Sequence, residues 1–433
     1  MYYVIGVTGI TCICLFISVL TKPSVRIGKV TVDLYWVIAL LGAFVLLISH
    51  AIPVQDAVSG ITADTAMNPL KILTLFLSMS LLSIFLDEVG FFGYLANRTL
   101  QCAGAGQRTL FLSLYIVVSV LTVFTSNYII ILTFTPFICY FSRNAGIDPV
   151  PYLFCEFVAA NTWSMMFLIG NPTNIYLATT EEIDFLEYVR VMWIPTIAGG
   201  VVSFLMLYLL FHRKLKQPLT IKTQAVSISD KGLLAIGLVH LTVCTVLLVL
   251  SSYIGFDMWL ITLCFAVSLF VVASLYCFVR RRPDKEVIHC LRRVPWQLVP
   301  FVLSMFILVL ALEKYGVTEK MAMVMGTSHT TYIYGIASYL SANLINNIPM
   351  SVLFGSVTGN LSGALQTAGI YAAVVGSNLG AVLTPIGALA GIMWSSILKK
   401  QQVSFSFARY VLYGFCVSVP ALLATLAVLD CML

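Results

Sequence analysis

Amide and hydroxyl side chains interrupt an otherwise apolar sequence at four places: Thr125-Ser126-Asn127-Tyr128, Asn161 to Asn174, Asn343 to Pro349, and Asn378 to Gly387. Two of them place a proline among small and amide residues, in Gly170-Asn171-Pro172-Thr173-Asn174 and in Thr384-Pro385-Ile386-Gly387. Inside a helix, proline removes a backbone donor and clashes with the preceding turn. Carbonyls are therefore freed on one side of the break and N–H groups on the other. A freed carbonyl can ligate a cation, and a helix N-terminus attracts an anion. A single Pro or Gly in a membrane helix means only a kink. Four polar interruptions, occurring in pairs, point instead to a place where a small ion or solute is held.

Few other residues compete for chemistry. Glu156 is the one carboxylate well inside a span near these breaks, and a proton-coupled carrier wants such a group buried. Lying only a few residues into its span, it can equally snorkel to the cytoplasmic interface. His50 and His240 read as packing or interfacial residues, and Glu181, Glu182, Asp184 and Glu187 as a solvated outer loop. The eleven cysteines are scattered singly, as at Cys12, Cys14, Cys139, Cys155 and Cys264, with no CxxC pair. That spacing argues against a disulfide framework and a metal site. HExxH, paired catalytic aspartates and a GxxxxGK[ST] loop are absent from the sequence, which speaks against an enzyme or an ATPase.

The elements that position the four polar places must be membrane helices. The 433 residues are 60% hydrophobic and only 10% charged, with mean hydropathy +0.99. Such a chain is solvated by lipid. Apolar runs of about 17 to 23 residues, each able to cross a core of roughly 30 Å, recur along it. Crossings are expected at 2–20, 34–53, 70–86, 151–180 (broken), 191–211, 233–250, 257–279, 296–312, 364–398 (broken) and 409–429. Two further stretches, 109–142 and 331–359, carry their polar residues near the middle. They read as re-entrant hairpins, whose irregular tips survive in a membrane only under cover of protein or in a water-filled cavity.

Charge then assigns sides. In this arrangement 20 of the 24 positive residues fall on one face: Lys22, Arg26 and Lys29; Arg98, Arg108 and Arg143; Arg213, Lys214, Lys216, Lys222 and Lys231; Arg280, Arg281, Arg282, Lys285, Arg292 and Arg293; Lys399, Lys400 and Arg409. The positive-inside rule makes that face cytoplasmic and both termini external. The first segment is then a retained span, and the net charge of +6 marks a membrane side rather than a nucleic-acid partner.

The sequence also repeats itself. Residues 68–90 (NPLKILTLFLSMSLLSIFLDEVG) align without gaps on 294–316 (VPWQLVPFVLSMFILVLALEKYG), matching Pro69 with Pro295, Ser78-Met79 with Ser304-Met305, Asp87 with Glu313 and Gly90 with Gly316. Each half would hold five crossings, and an odd number inverts the second copy. The expected fold is an all-α polytopic membrane protein of two inverted-topology repeats, 1–211 and 233–433, joined by a basic cytoplasmic linker, 212–232. It has about ten transmembrane helices, two re-entrant hairpins and two broken helices. Inverted repeats bring such breaks together at mid-membrane.

At these residues the chain resembles the ion transporter superfamily, which includes arsenite permeases of the ArsB type, NhaD-type sodium/proton antiporters and dicarboxylate carriers. Gly376-Ser377-Asn378-Leu379-Gly380, leading into Leu383-Thr384-Pro385-Ile386-Gly387-Ala388-Leu389-Ala390 and Trp394, is similar to the ArsB-type signature, as is Asn346-Asn347-Ile348-Pro349. Ala159-Ala160-Asn161-Thr162 and Gly170-Asn171-Pro172-Thr173-Asn174 resemble the superfamily's broken-helix motif. Two features depart from it. Tyr128 stands where an acid often follows the first hairpin asparagine, and the paired Ser-Asn-Thr hairpin motifs of sodium/dicarboxylate carriers are absent.

The resemblance implies a secondary transporter in the cytoplasmic membrane, most simply a proton-coupled exporter of arsenite or antimonite. A sodium- or proton-coupled organic anion carrier or a Na+/H+ antiporter is the alternative; a channel would need a continuous polar stripe rather than a central cluster. The expected binding residues are Ser126, Asn127, Asn161, Asn171, Thr173, Asn174, Asn346, Asn347, Asn378 and Thr384, with Glu156 for proton coupling and Gly170, Pro172, Pro385 and Gly387 at the breaks. No cofactor is called for beyond a coupling H+ or Na+. The partners are the solute and the lipid bilayer, and a homodimer is compatible with the sequence.

Overall fold

The computed structural model describes residues 1–21, 24–27, 30–64, 68–102, 106–216 and 228–433. Lys22, Lys29, Lys222 and most of the 212–232 linker lie outside the described residues. The first half runs α1 (Tyr2–Thr21), β1 (Ser24–Ile27), β2 (Val30–Asp33), α2 (Leu34–Ile48), α3 (Val54–Thr62), α4 (Pro69–Glu88), α5 (Phe91–Cys102), α6 (Gln107–Phe124), α7 (Asn127–Ala145), α8 (Val150–Trp163), α9 (Pro172–Thr179) and α10 (Phe185–Phe211). The second runs α11 (Lys231–Val249), the single turn α12 (Ser251–Ile254), α13 (Met258–Val279), α14 (Lys285–Arg293), α15 (Leu298–Lys314), α16 (Val317–Met325), α17 (Thr330–Ile345), α18 (Asn347–Thr358), α19 (Ala364–Leu383), α20 (Leu389–Lys400) and α21 (Phe407–Met432).

Seven helical stretches among the described residues are long and apolar enough to cross a membrane: α4, α6, α10, α11, α13, the run from α14 through α15, and α21. Shorter apolar helices cover Tyr2–Ser18 and Leu34–Ile48. With the two broken helices, α8–α9 and α19–α20, the chain is a multi-pass helical membrane protein. The hairpins expected at 109–142 and 331–359 are α6–α7 and α17–α18.

The packing of one half is repeated in the other. Helix α6 packs on α8 and α8 on α10, as α17 packs on α19 and α19 on α21. The outer helices are exchanged: α2 lies against α15 of the second half, and α13 against α4 of the first. The short α3 and α14 follow the same rule, touching α15 and α4 respectively. Gly90 and Gly316, matched in the sequence repeat, both turn the chain with positive φ (91° and 68°) before the short helices α5 and α16. The matched acids act alike as well. Asp87 accepts from Thr133 Oγ1 on α7 at 2.7 Å, and Glu313 from Ser356 Oγ on α18 at 3.3 Å, so each acid ties a hairpin arm to the helix before it.

Three features depart from the sequence reading. The segment after α1 forms a small antiparallel ribbon, with Val25 opposite Val32 and Arg26 opposite Thr31. It is a small addition to a nearly all-helical fold, and the β-branched residues at 25, 27 and 30–32 favour an extended pair. The loops around 91–102 and 280–293 hold short helices, α5 and α14, too short to span and therefore invisible to a search for long apolar runs. The third departure concerns the first break. Helix α8 stops at Trp163, well before Gly170, and a 3-10 turn over Leu168–Gly170 follows. The first half-helix is thereby short for a broken crossing expected over 151–180.

Candidate functional site

Each break is held open by side chains. At the first, Ser164 Oγ turns back to Asn161 O (2.8 Å), and Asn174 Nδ2 donates to the freed carbonyls of Ser164 (2.8 Å) and Phe167 (3.2 Å). Gly170 lies so close to Ser164 O that a Cβ there would sit 2.2 Å from it. Asn171 caps α9 through Thr173 N, with Pro172 in the first turn, where its missing N–H does no harm. Asn378, fully buried on α19 of the other half, then joins the break: its Oδ1 accepts from Ser164 Oγ (2.8 Å) and Asn171 Nδ2 (2.9 Å), and its Nδ2 donates to Asn174 Oδ1 (2.7 Å). Ser377 Oγ donates to Thr173 Oγ1 at 2.8 Å.

Backbone carbonyls are the main acceptors at the second break. Asn343 Nδ2 donates to Gly380 O (2.9 Å), Thr384 Oγ1 donates to Asn343 Oδ1 (2.7 Å), and Asn346 Nδ2 donates to Ile386 O (2.9 Å). The Asn347 N–H donates to Gly387 O at 3.0 Å. Gly387 is packed tightly enough that a Cβ would lie 2.7 Å from Gly380 O. Asn346 itself has φ +74° and ψ 153°. That conformation is strained for any residue but glycine, and it is kept because both ends of the Asn346 side chain are bonded.

The hairpin tips meet these breaks. Ser126 caps α7 through Tyr128 N, which leaves Asn127 in the first turn, where its Nδ2 donates to Asn161 Oδ1 at 3.1 Å. Asn127, Tyr128, Asn171, Pro172, Asn347, Ile348, Ala388, Leu389 and Ala390 together line one cavity of about 30 Å³, with Phe76 of α4 and Leu298 of α15 as apolar walls. Both tips and both breaks contribute to it. No ionised side chain does. Asn347 is 3% exposed, and its Oδ1 has no hydrogen-bond partner.

Of the ten expected binding residues, Asn127, Asn171 and Asn347 line the cavity. Ser126, Asn161, Thr173, Asn174, Asn346, Asn378 and Thr384 lie behind it and hold its walls through the bonds above. Pro385 borders a separate, larger cavity instead. Phe76 and Leu298 carry no signal in the sequence, being apolar residues of apolar helices. Ser164 could have been found as a hydroxyl within the Asn161 to Asn174 cluster. Glu156 does not snorkel: it is 0% exposed, and both carboxylate oxygens accept from Thr135 Oγ1 of α7, at 3.0 and 3.1 Å.

Residues 32–372 match the family model described as "Citrate transporter". The chain belongs to this citrate transporter family, within the ion transporter superfamily. Its curated relatives include the arsenical pump membrane protein of Escherichia coli (strain K12), 28% identical over 82% of this chain and 84% of that protein. The protein of the same name from Yersinia enterocolitica is 27% identical over the same shares, and the mouse (Mus musculus) P protein is 24% identical over 87% of this chain and 55% of its own length. Among solved structures, the YdaH transporter of Alcanivorax borkumensis superposes with a TM-score of 0.57 over 99% of this chain and 97% of that one, at 12% identity. The fold is thus that of a membrane transporter, and the family's transporters act on a small ion or solute.

Proposed function

We propose that this family member is a proton-coupled exporter of trivalent arsenic or antimony, taken as the small uncharged hydroxides, and that the asparagine cavity is its binding site. The observation that carries the reading is the cavity's lining, in which both hairpin tips and the first break present neutral amides, the second break adds only Ala388, Leu389 and Ala390, and no charged side chain takes part. Amides can donate and accept at once, which suits a hydroxylated neutral solute. A tricarboxylate would need cationic partners to offset its desolvation. The arsenical pump relatives support the same substrate class.

A sodium- or proton-coupled organic anion carrier is the second reading, favoured by the description of the matching family model. In either case the repeats, 1–211 and 233–433, run antiparallel across the cytoplasmic membrane. Both termini are outside, and the basic linker and the 280–293 segment are inside. Flux into proteoliposomes under imposed pH or sodium gradients separates the two. Uptake of arsenite or antimonite driven by a pH gradient is expected; sodium-driven uptake of citrate or a dicarboxylate, with none of the metalloids, would overturn the first reading in favour of the second.

A further inference from the structure

Glu156 occupies an unusual joint. It lies on α8, and its one hydrogen-bond donor, Thr135, lies on α7, the hairpin arm that begins at cavity residue Asn127. Its other polar neighbour is Trp394 on α20, the short half-helix that begins beside cavity residues Ala388, Leu389 and Ala390. Helices α7 and α20 pack on each other. Trp394 is 1% exposed, and its indole N–H has no hydrogen-bond partner. A buried donor without an acceptor therefore stands beside an acceptor served by a single hydroxyl, and each would gain if they closed together.

The other side of Trp394 borders a cavity. Trp394 and Tyr410, with Lys399 and Arg409, line a cavity of about 680 Å³ that also reaches Pro385 and Ile386 at the second break. The Tyr410 hydroxyl is likewise buried and without a partner. Its ring lies 5.6 Å from that of Trp394, and the ring of Phe157, next to Glu156, lies 5.1 Å from Trp394, tilted by 48°. The other titratable groups around Glu156 are Cys139 of α7 and Cys155 of α8 itself. Among the described residues no cation is bonded to it.

We infer that Glu156 is the proton-coupling group, reached from the basic-face cavity past Trp394 and Tyr410, and that its ionisation draws the Trp394 indole towards it and so moves α20 against the substrate cavity. The step is a proton transfer from the Glu156 carboxyl to water in the large cavity, with the indole N–H then donating to the carboxylate. An uncompensated charge at such a site needs that second donor. A ligand between Asn127 and Ala388 touches the ends of the same two helices, α7 and α20. Binding and protonation therefore share one movable element, which linkage requires. This inference rests on the proton-coupled reading above.

Two measurements on the full chain test it. The first needs no substrate: pH-difference infrared spectra of the purified protein in nanodiscs should show a titrating carboxylic acid band that Glu156→Gln removes. In Trp394→Phe the band should remain while the pH-dependent part of the tryptophan fluorescence disappears. Spectra of Glu156→Gln identical to wild type would overturn the inference.

The second uses antimonite in proteoliposomes. Glu156→Gln should lose pH-driven uptake but keep antimonite exchange without a gradient, and Glu156→Asp should restore part of the coupling. Equal loss in both modes with an unchanged pH profile would mean a packing role and overturn the inference. If wild type moves no antimonite, the substrate reading fails while the infrared result still decides the role of Glu156.

Discussion

The two breaks do the same work with different materials. At the first, six polar side chains pair with one another, and two of them, Ser377 and Asn378, come from the opposite half. At the second, asparagines bind backbone carbonyls of their own half, one residue is held at φ +74°, and one amide oxygen stays free. A saturated network of buried amides has one geometry and loses heavily if any member goes. A break held through backbone and strain, with an acceptor to spare, can change shape at smaller cost. The first break is therefore the anchor of the proposed site and the second its adaptable wall.

The largest contrast should come from Asn378→Ala. It leaves Asn171 Nδ2 and Asn174 Oδ1 without a partner in a fully buried place, each worth about 1 to 3 kcal/mol when orphaned, and Ser164 with Asn161 O alone. The variant should lose on the order of 3 kcal/mol or more of stability, read as a lower unfolding temperature in detergent, and transport should fall with it. At the second break Thr384→Val removes one bond, to Asn343, and should cost only about 1 kcal/mol. Equal destabilisation by the two would remove the distinction between anchor and wall.

Glycine sharpens the comparison next. Gly170→Ala puts a methyl against a backbone carbonyl at 2.2 Å, whereas Gly387→Ala meets Gly380 O at 2.7 Å and the Asn343 side chain at 2.9 Å. Overpacking typically costs about 1 to 3 kcal/mol. Gly170→Ala should lie at or above the top of that range in thermal unfolding, and Gly387→Ala nearer the bottom.

The hairpin tips separate binding from stability. Asn347→Ala removes an amide whose oxygen bonds nothing in the protein. It should weaken substrate binding by roughly 5- to 150-fold, the equivalent of about 1 to 3 kcal/mol, with the unfolding temperature nearly unchanged. Asn127→Ala also orphans Asn161 Oδ1 and should lower both. Ser78→Ala, buried in α4 away from the breaks, should lower neither. Calorimetric titration with antimonite beside thermal unfolding gives both readouts, and wild-type affinity in both asparagine variants would place the site elsewhere. The smallest effect is expected from Tyr128→Asp. A carboxylate at the cavity wall should add sodium or proton dependence to transport, since it makes a better cation ligand than a phenol. An unchanged ion dependence would count against a cation position at the first tip.

Residue types and their spacing carry much of this fold. An amide or proline in an apolar segment must find a partner or a cavity, so Asn127, Asn171, Asn347 and Pro385 mark hairpin tips and breaks within a few residues of where they fall. The matching 68–90 and 294–316 segments mark two helices that turn and tie to their hairpins alike. Local composition does not say where α8 ends, because that depends on Gly170 folding back onto Ser164. The ribbon at 24–33 and the short helices α5 and α14 are hidden by their length.

Nor does composition divide the asparagines into those that face the cavity and those that hold its wall. Asn171 and Asn378 are 207 positions apart and share one hydrogen bond of 2.9 Å. Hydrophobic flanks leave buried polar groups no water, so their need for partners follows from the order of residues alone. Which partner each one took, and that Glu156 met Thr135 and Trp394 instead of the interface, was decided only when helices remote in the chain were packed together.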